Sequence, residues 1–254
     1  MLSLESIGSI IDDIADKFGT RLGITYRLPA PIASTPADNT LWSKLLNVHP
    51  WHMHPKDILN TATSVIVFAI PLSYEAIESN TRDYNEPSLQ WLREYLYTNR
   101  LIQEIVQHIS KVLESMGYTS KGLNPTHDYN PSTLRSSWSH RHAGYVCSLG
   151  TFGLNNLLIT SKGCAVRLGT IITEAKIEET ERPTFEYCLE KRGIKCKKCI
   201  ERCPIRALTN WDKGRFECNK RLTEIALKYK NVLEGYADAC GKCSTGIPCA
   251  TRIP

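Results

Sequence analysis

The stretch "CLEKRGIKCKKCIERCP", residues 188–204, places four cysteines, Cys188, Cys196, Cys199 and Cys203, in one basic run that closes on Pro204. The spacing Cys196-x2-Cys199-x3-Cys203-Pro204 reproduces the last three cysteines and the proline of C-x2-C-x2-C-x3-C-P. That run wraps iron–sulfur clusters, its fourth cysteine serving a second cluster. A loop can fold several thiolates around one cube of iron and sulfide. Proline, with φ preset for a first helical turn, then starts the helix that carries the last cysteine away. The first cysteine of the pattern falls at Gly193, which has no side chain to ligate, so Cys188 is the substitute.

Cys218, Cys240-x2-Cys243 and Cys249 supply four more thiols, which makes eight for two four-ligand cubes. The crossing of the ferredoxin run assigns Cys188, Cys196, Cys199 and Cys249 to one [4Fe-4S] cluster and Cys203, Cys218, Cys240 and Cys243 to the other. Two C-x2-C pairs can also form a four-cysteine zinc site, but zinc requires neither the C-x3-C-P continuation nor a second quartet. The start, "MLSLESIGSIIDDIADKFG", carries acids where an export signal carries lysines, so a cytoplasmic location is expected. In a reducing compartment ten cysteines point to metal rather than disulfides. Cys147 and Cys164 are left over and read as buried thiols.

No cysteine precedes Cys147, and eight of the ten fall between Cys188 and Cys249. The change of character near "EETERPTF" sets the expected division: a front domain, residues 1–180, and a ferredoxin-like two-cluster domain, residues 181–254. With 42% hydrophobic residues the front part can bury a real core. Ile7, Ile10, Ile11, Ile14 and Phe18 repeat at helical spacing up to Gly19, predicting a helix over 4–18. A longer apolar stripe from Leu89 to Met116 predicts a second. "SVIVFAI", "NNLLIT" and "CAVRLGTIIT" read as strands, an α/β or α+β pattern. The longest apolar run, residues 64–72, is too short to span a bilayer, so no membrane segment is expected.

Residues 139–173, "SHRHAGYVCSLGTFGLNNLLITSKGCAVRLGTIIT", carry Gly150, Gly153, Gly163 and Gly169 among strand-forming residues. Glycine there lets the backbone turn sharply or approach a bulky ligand. Neither a P-loop nor a G-x-G-x-x-G fingerprint occurs. The blocks "LGTFGLNNLLIT" and "KGCAVRLGTIIT", placed ahead of a two-cluster module, resemble the epoxyqueuosine reductase and reductive dehalogenase superfamily. In form the chain is most similar to its short, soluble, epoxyqueuosine reductase-like members.

That resemblance implies a nitroreductase-like domain that binds base-off cobalamin, with two [4Fe-4S] clusters delivering electrons to it. It implies a corrinoid-dependent oxidoreductase; the alternatives are a cobalamin-handling or corrinoid-reactivating protein and an electron carrier without turnover. The implied cobalamin residues are Gly150, Thr151, Phe152, Gly153, Leu154, Asn155, Lys162, Gly163, Ala165, Arg167 and Gly169. The absence of a D-x-H-x-x-G pattern agrees with a base-off site. Epoxyqueuosine reductase carries a catalytic aspartate ahead of its glycine block, and Asp128 is the only acid in the corresponding stretch, at a spacing that departs from that family's. His142 and Tyr145, with His140 and Arg141, are further candidates to supply protons or to bind corrinoid amides and phosphate. His52 and His54 read as a packed loop. The sequence ends five residues after Cys249, without the helical repeats that hold tRNA in epoxyqueuosine reductase. Together with a net charge of only +5, this makes a small-molecule or corrinoid substrate the expectation rather than tRNA. Lys191, Arg192, Lys195, Lys197, Lys198 and Arg202 either balance anionic clusters as a solvated surface or dock an acidic donor such as a flavodoxin or ferredoxin.

Overall fold

The computed structural model describes residues 3–125 and 129–254; Asp128 lies outside the described residues. Its first helix, α1 (Leu4–Leu22), starts on a Ser3 side chain that accepts from the Ser6 N–H. It runs past the expected stop at Gly19, because Gly19 lies where the Ile24 carbonyl crosses the helix and a Cβ would sit 2.3 Å from that oxygen. The helix ends instead at Gly23, in the left-handed region at φ 67°.

Four strands form one antiparallel sheet: β1 (Ile32–Pro36), β2 (Ser64–Pro71), β3 (Ser120–Leu123) and β8 (Val166–Thr173), in the order β1-β2-β8-β3. All eight residues of β2 are buried, which explains why "SVIVFAIP" is apolar without alternation. Ile66, Phe68 and Ile70 face Ile7, Ile11 and Phe18 of α1 and Ile102, Ile105 and Ile109 of a long helix, α3 (Leu89–Ser115). On the opposite face Val65, Val67 and Ala69 pack with Trp42, Trp138 and Val146. The sheet is thus sandwiched between two layers, the mixed α/β architecture expected.

"NNLLIT" yields less strand than its composition suggests. Only Leu158–Ile159 (β7) pairs, with Thr151–Phe152 (β6). Between β3 and β6 come a two-residue ribbon, β4 (Tyr129–Asn130) with β5 (Arg135–Ser136), and the short helix α4 (His140–Val146).

The cysteine-rich part packs closely on this frame. Its helix α5 (Trp211–Tyr229) brings Ile225 against Leu72, Trp91, Leu92 and Tyr95 and against the helix α2 (Tyr74–Arg82) through Ala76 and Ile77. The chain end returns to the front part, where Cys164 and Ala165 N–H groups donate to the Cys249 and Ala250 carbonyls at 2.9 Å. Arg27 fastens the junction: its guanidinium, buried, donates to the carbonyls of Leu72, Lys162, Ala165 and Thr251. Near the expected division, Glu178 and Thr180 are hydrogen-bonded to Ser34 of β1. Among the described residues no helix is long and apolar enough to cross a membrane.

Candidate metal and cofactor site

Eight thiols gather in two groups. Cys188, Cys196, Cys199 and Cys249 line a small cavity together with Gly153, Leu154, Ile247 and Pro248. Cys203, Cys218, Cys240 and Cys243 line a separate, larger cavity of about 490 Å³. The electrostatics divide in the same way. Burial, then Cys249, Cys188 and Cys196, push the Cys199 thiol up to about 12. Burial, then Cys240 and Cys203, push Cys218 up to about 11. Cys243 is raised by burial and then by Cys218, Cys240 and Cys203, with Cys199 the weakest neighbour.

Thiols crowded this way cannot all ionise on their own, because each thiolate repels the next. A cationic metal centre removes that obstacle, since metal-bound thiols are deprotonated. Among the described residues no three His, Cys, Asp or Glu side chains are close enough to share one ion. A cube attaches each thiolate through a different iron, so its four donors stand wider apart than the ligands of one ion.

The leftover cysteines differ from one another. Cys147 is sealed in the core with its Sγ 3.5 Å from the Val65 carbonyl. Cys164 lines the larger cavity and hydrogen-bonds Cys249, which holds its own proton on and draws the Cys249 thiol down. Asn155 joins the two groups: its Nδ2 donates to the Cys243 carbonyl at 2.8 Å and faces Cys164 Sγ at 3.7 Å.

The walls of the larger cavity are aromatic and apolar, from Trp91, Tyr95, Trp138, Leu158 and Leu168, with polar groups at a few points. Tyr95 donates to Asp238 at 2.6 Å, and the Arg167 guanidinium lies 4.2 Å from the Tyr95 ring centre while donating to Asn99. Arg141 has open surface because it faces this cavity, yet surrounding protein desolvates it and lowers its pKa. His140 also lines the cavity, with Nδ1 2.7 Å from Thr170 Oγ1 and Nε2 3.0 Å from the Asn124 carbonyl.

The glycine block is only partly at this site. Asn155, Ala165 and Arg167 reach the larger cavity; Gly153, Leu154 and Asn155 border the smaller one. At three other glycines of the block the space beside Cα is taken by protein. A Cβ on Gly150 would meet the Ile159 carbonyl at 2.0 Å, one on Gly163 the Ala250 carbonyl at 2.4 Å, and one on Gly169 the ring of its strand partner Phe68 at 2.3 Å. Lys162 Nζ donates to the Leu28 carbonyl, and Thr151 Oγ1 accepts from the Tyr187 N–H.

His142 and Tyr145 also lie away from the cavity lining. Three residues apart, they share one face of α4, and that face is turned to Phe152, at ring distances of 5.1 and 5.7 Å. Burial, then Arg141, His52 and His49, bring the His142 pKa down to about 4. His142 is thus a packed ring, while His140 and Arg141 of the same helix line the cavity. His52 is buried against Trp138 and accepts from the Ser139 N–H, and His54 caps a helical turn.

Sequence reasoning missed Trp91, Tyr95 and Asp238. The first two sit at helical spacing on α3, where their apolar bodies look like ordinary core.

Comparison with solved structures places this arrangement. Over 96% of the chain and 66% of the other, it superposes on epoxyqueuosine reductase from Bacillus subtilis with a TM-score of 0.56 and 17% identity. The chain has the fold of the epoxyqueuosine reductases. The reductase from Streptococcus thermophilus matches over 94% of the chain and 65% of its own length, with a TM-score of 0.54 and 17% identity. A catabolic reductive dehalogenase in complex with 3-bromo-4-hydroxybenzoic acid matches over 74% of the chain and 24% of its own, with a TM-score of 0.50 and 16% identity. These neighbours are oxidoreductases, and the chain spans just under two thirds of the length of the epoxyqueuosine reductases. Neither a protein-family model nor a curated protein matches the sequence.

Proposed function

We propose that this chain is a cytoplasmic corrinoid-dependent iron–sulfur reductase acting on a small molecule or another corrinoid. A ferredoxin-like unit, residues 181–254, feeds electrons into a nitroreductase-like unit, residues 1–180. The observation that carries this reading is the separation of the thiols: the second quartet borders the large aromatic-walled cavity, whereas the first borders its own small one beside the basic run. Each quartet is a complete donor set for one [4Fe-4S] cluster.

The large cavity suits base-off cobalamin by its chemistry. Trp91, Tyr95 and Trp138 contribute apolar wall, and Arg141, Arg167 and Asn155 offer donors for peripheral amides and a phosphate. His140 has both ring nitrogens within hydrogen-bond distance of protein oxygens, an arrangement that agrees with a base-off site. Reduced cobalt supplies a strong nucleophile or one-electron donor there. Around the cavity the aromatic walls would exclude water, Arg141 and Arg167 would orient anionic groups, and Asp238 accepts from the Tyr95 hydroxyl at the rim.

The experiment is anaerobic purification with iron, sulfide and cobalt analysis, followed by electron paramagnetic resonance of bound Co(II). About eight irons per chain and cobalt lines without nitrogen superhyperfine splitting are expected. Stoichiometric zinc without acid-labile sulfide, or clear axial-nitrogen splitting, would refute the reading.

A further inference from the structure

We propose that Arg221 and Lys242 raise the reduction potential of the second-quartet centre above that of the first, and so direct electrons toward the large cavity. The inference rests on the cluster reading above. Arg221, on α5, donates its Nε–H to Cys240 Sγ at 3.3 Å, while its Nη2 is anchored on the Asn85 carbonyl. A guanidinium stays charged at any working pH, so this is a permanent cation hydrogen-bonded to a ligand sulfur.

Lys242 follows Cys240 by two residues and is 1% exposed. Its ammonium donates to the carbonyls of Asn80 at 2.7 Å and Asp83 at 2.9 Å, and to Asn80 Oδ1 at 3.3 Å. None of these three oxygens belongs to a carboxylate. These three acceptors fix the buried amine of a residue that lies, in sequence, between Cys240 and Cys243.

The first quartet also has cations near it, but of a different kind: Lys191, Lys195, Lys197 and Lys198 are exposed to screening water, and Lys191 and Lys198 are paired with acids. The Cys196 N–H donates to the Glu190 carboxylate at 2.6 Å, and Lys198, the neighbouring cation, is tied to Glu201 at 2.8 Å. Adding one electron to a thiolate-ligated centre increases its negative charge. N–H···S bonds and nearby cations favour that reduced form and raise the potential; a carboxylate lowers it. One electron passes from the first centre to the second without a bond made or broken, and a one-electron protein carrier refills the first. The donor would therefore meet the lower-potential centre near the surface, and the higher-potential one would wait beside the cavity.

The test uses the full chain loaded with both clusters, as wild type, Arg221→Gln and Arg221→Lys. Iron and sulfide are counted first, and the two midpoints are then followed by electron paramagnetic resonance during a dithionite titration. In Arg221→Gln one midpoint is expected to fall by about tenfold in the reduction constant, 59 mV for one electron. That signal should be the one perturbed by Cys240→Ser. Arg221→Lys, which retains the charge, should recover most of the difference, and Lys242→Met should lower the same midpoint. Unchanged midpoints with both clusters intact, equal shifts of both, or a fall in Arg221→Lys as large as in Arg221→Gln would overturn the inference and leave the cluster reading standing. Wild-type protein without iron and sulfide would overturn both.

Discussion

Arg141 and His142 are consecutive on α4, yet one faces the cavity and the other a packed aromatic group, because each helical step turns the side chain by about 100°. The consequence for His142 is thermodynamic. Its folded pKa of about 4 lies below the ordinary 6.5, so burial as a neutral ring stabilises the fold above about pH 6.5. That contribution is lost as pH falls through 4. Urea unfolding at pH 7 and pH 4 should show wild type losing on the order of 3 kcal/mol more than His142→Phe. Gly169 makes a similar point about packing. Its hydrogen faces the Phe68 ring, so Gly169→Ala should cost about 1–3 kcal/mol, and Phe68→Leu in the same chain should restore part of it. A loss confined to corrinoid affinity, with stability intact, would return Gly169 to the ligand site. Among the thiols, Cys199→Ser should damage one cluster and Cys243→Ser the other, each removing one electron paramagnetic resonance signal.

At the scale of elements, the junction of the chain end with the segment before β8 depends on Arg27, which donates to four carbonyls at once. Removing it leaves buried acceptors unpaired. Arg27→Met should therefore cost roughly 3–5 kcal/mol in denaturant unfolding and reduce iron occupancy at the quartet containing Cys249. The basic run is the other element with a function to test. Lys191, Lys195, Lys197 and Lys198 are exposed around Ile194, itself 52% exposed, beside the first quartet. Lys191 and Lys198 are paired with acids, at 3.7 and 2.8 Å. Lys195 and Lys197, changed together to Glu, should raise KM for an acidic flavodoxin or ferredoxin and weaken the salt dependence of the rate. Reduction by dithionite should be unaffected. An unchanged KM would make the run a solvated face that balances cluster charge.

For the whole molecule, the two quartets border different cavities: the first the small one beside the basic run, the second the large one. An extended basic surface is what an RNA ligand would need, and here the dense cationic run overlaps the cluster loop. Reduced, cobalamin-loaded protein incubated with epoxyqueuosine-containing tRNA is expected to yield no queuosine. Turnover, or tight binding that persists in physiological salt, would establish tRNA as the substrate.

Much of this was legible in local chemistry. Cys196-x2-Cys199-x3-Cys203-Pro204 carries its meaning in spacing alone, because a cluster loop brings its ligands from adjacent residues. The α1 and α3 stripes and the apolar β2 were equally readable, since periodicity follows from backbone geometry. What tertiary structure decided was which side of each residue meets ligand space. At Gly150, Gly163 and Gly169 the absent side chain leaves room for Ile159, Ala250 and Phe68, residues that only the packing of the chain brings there. Trp91, Tyr95 and Asp238 converge from segments far apart in sequence, and Arg221 reaches Cys240 only because α5 folds back beside the cysteine loop. Spacing encodes contacts within a turn or a loop; contacts between distant segments depend on how the layers pack, and no local pattern records that.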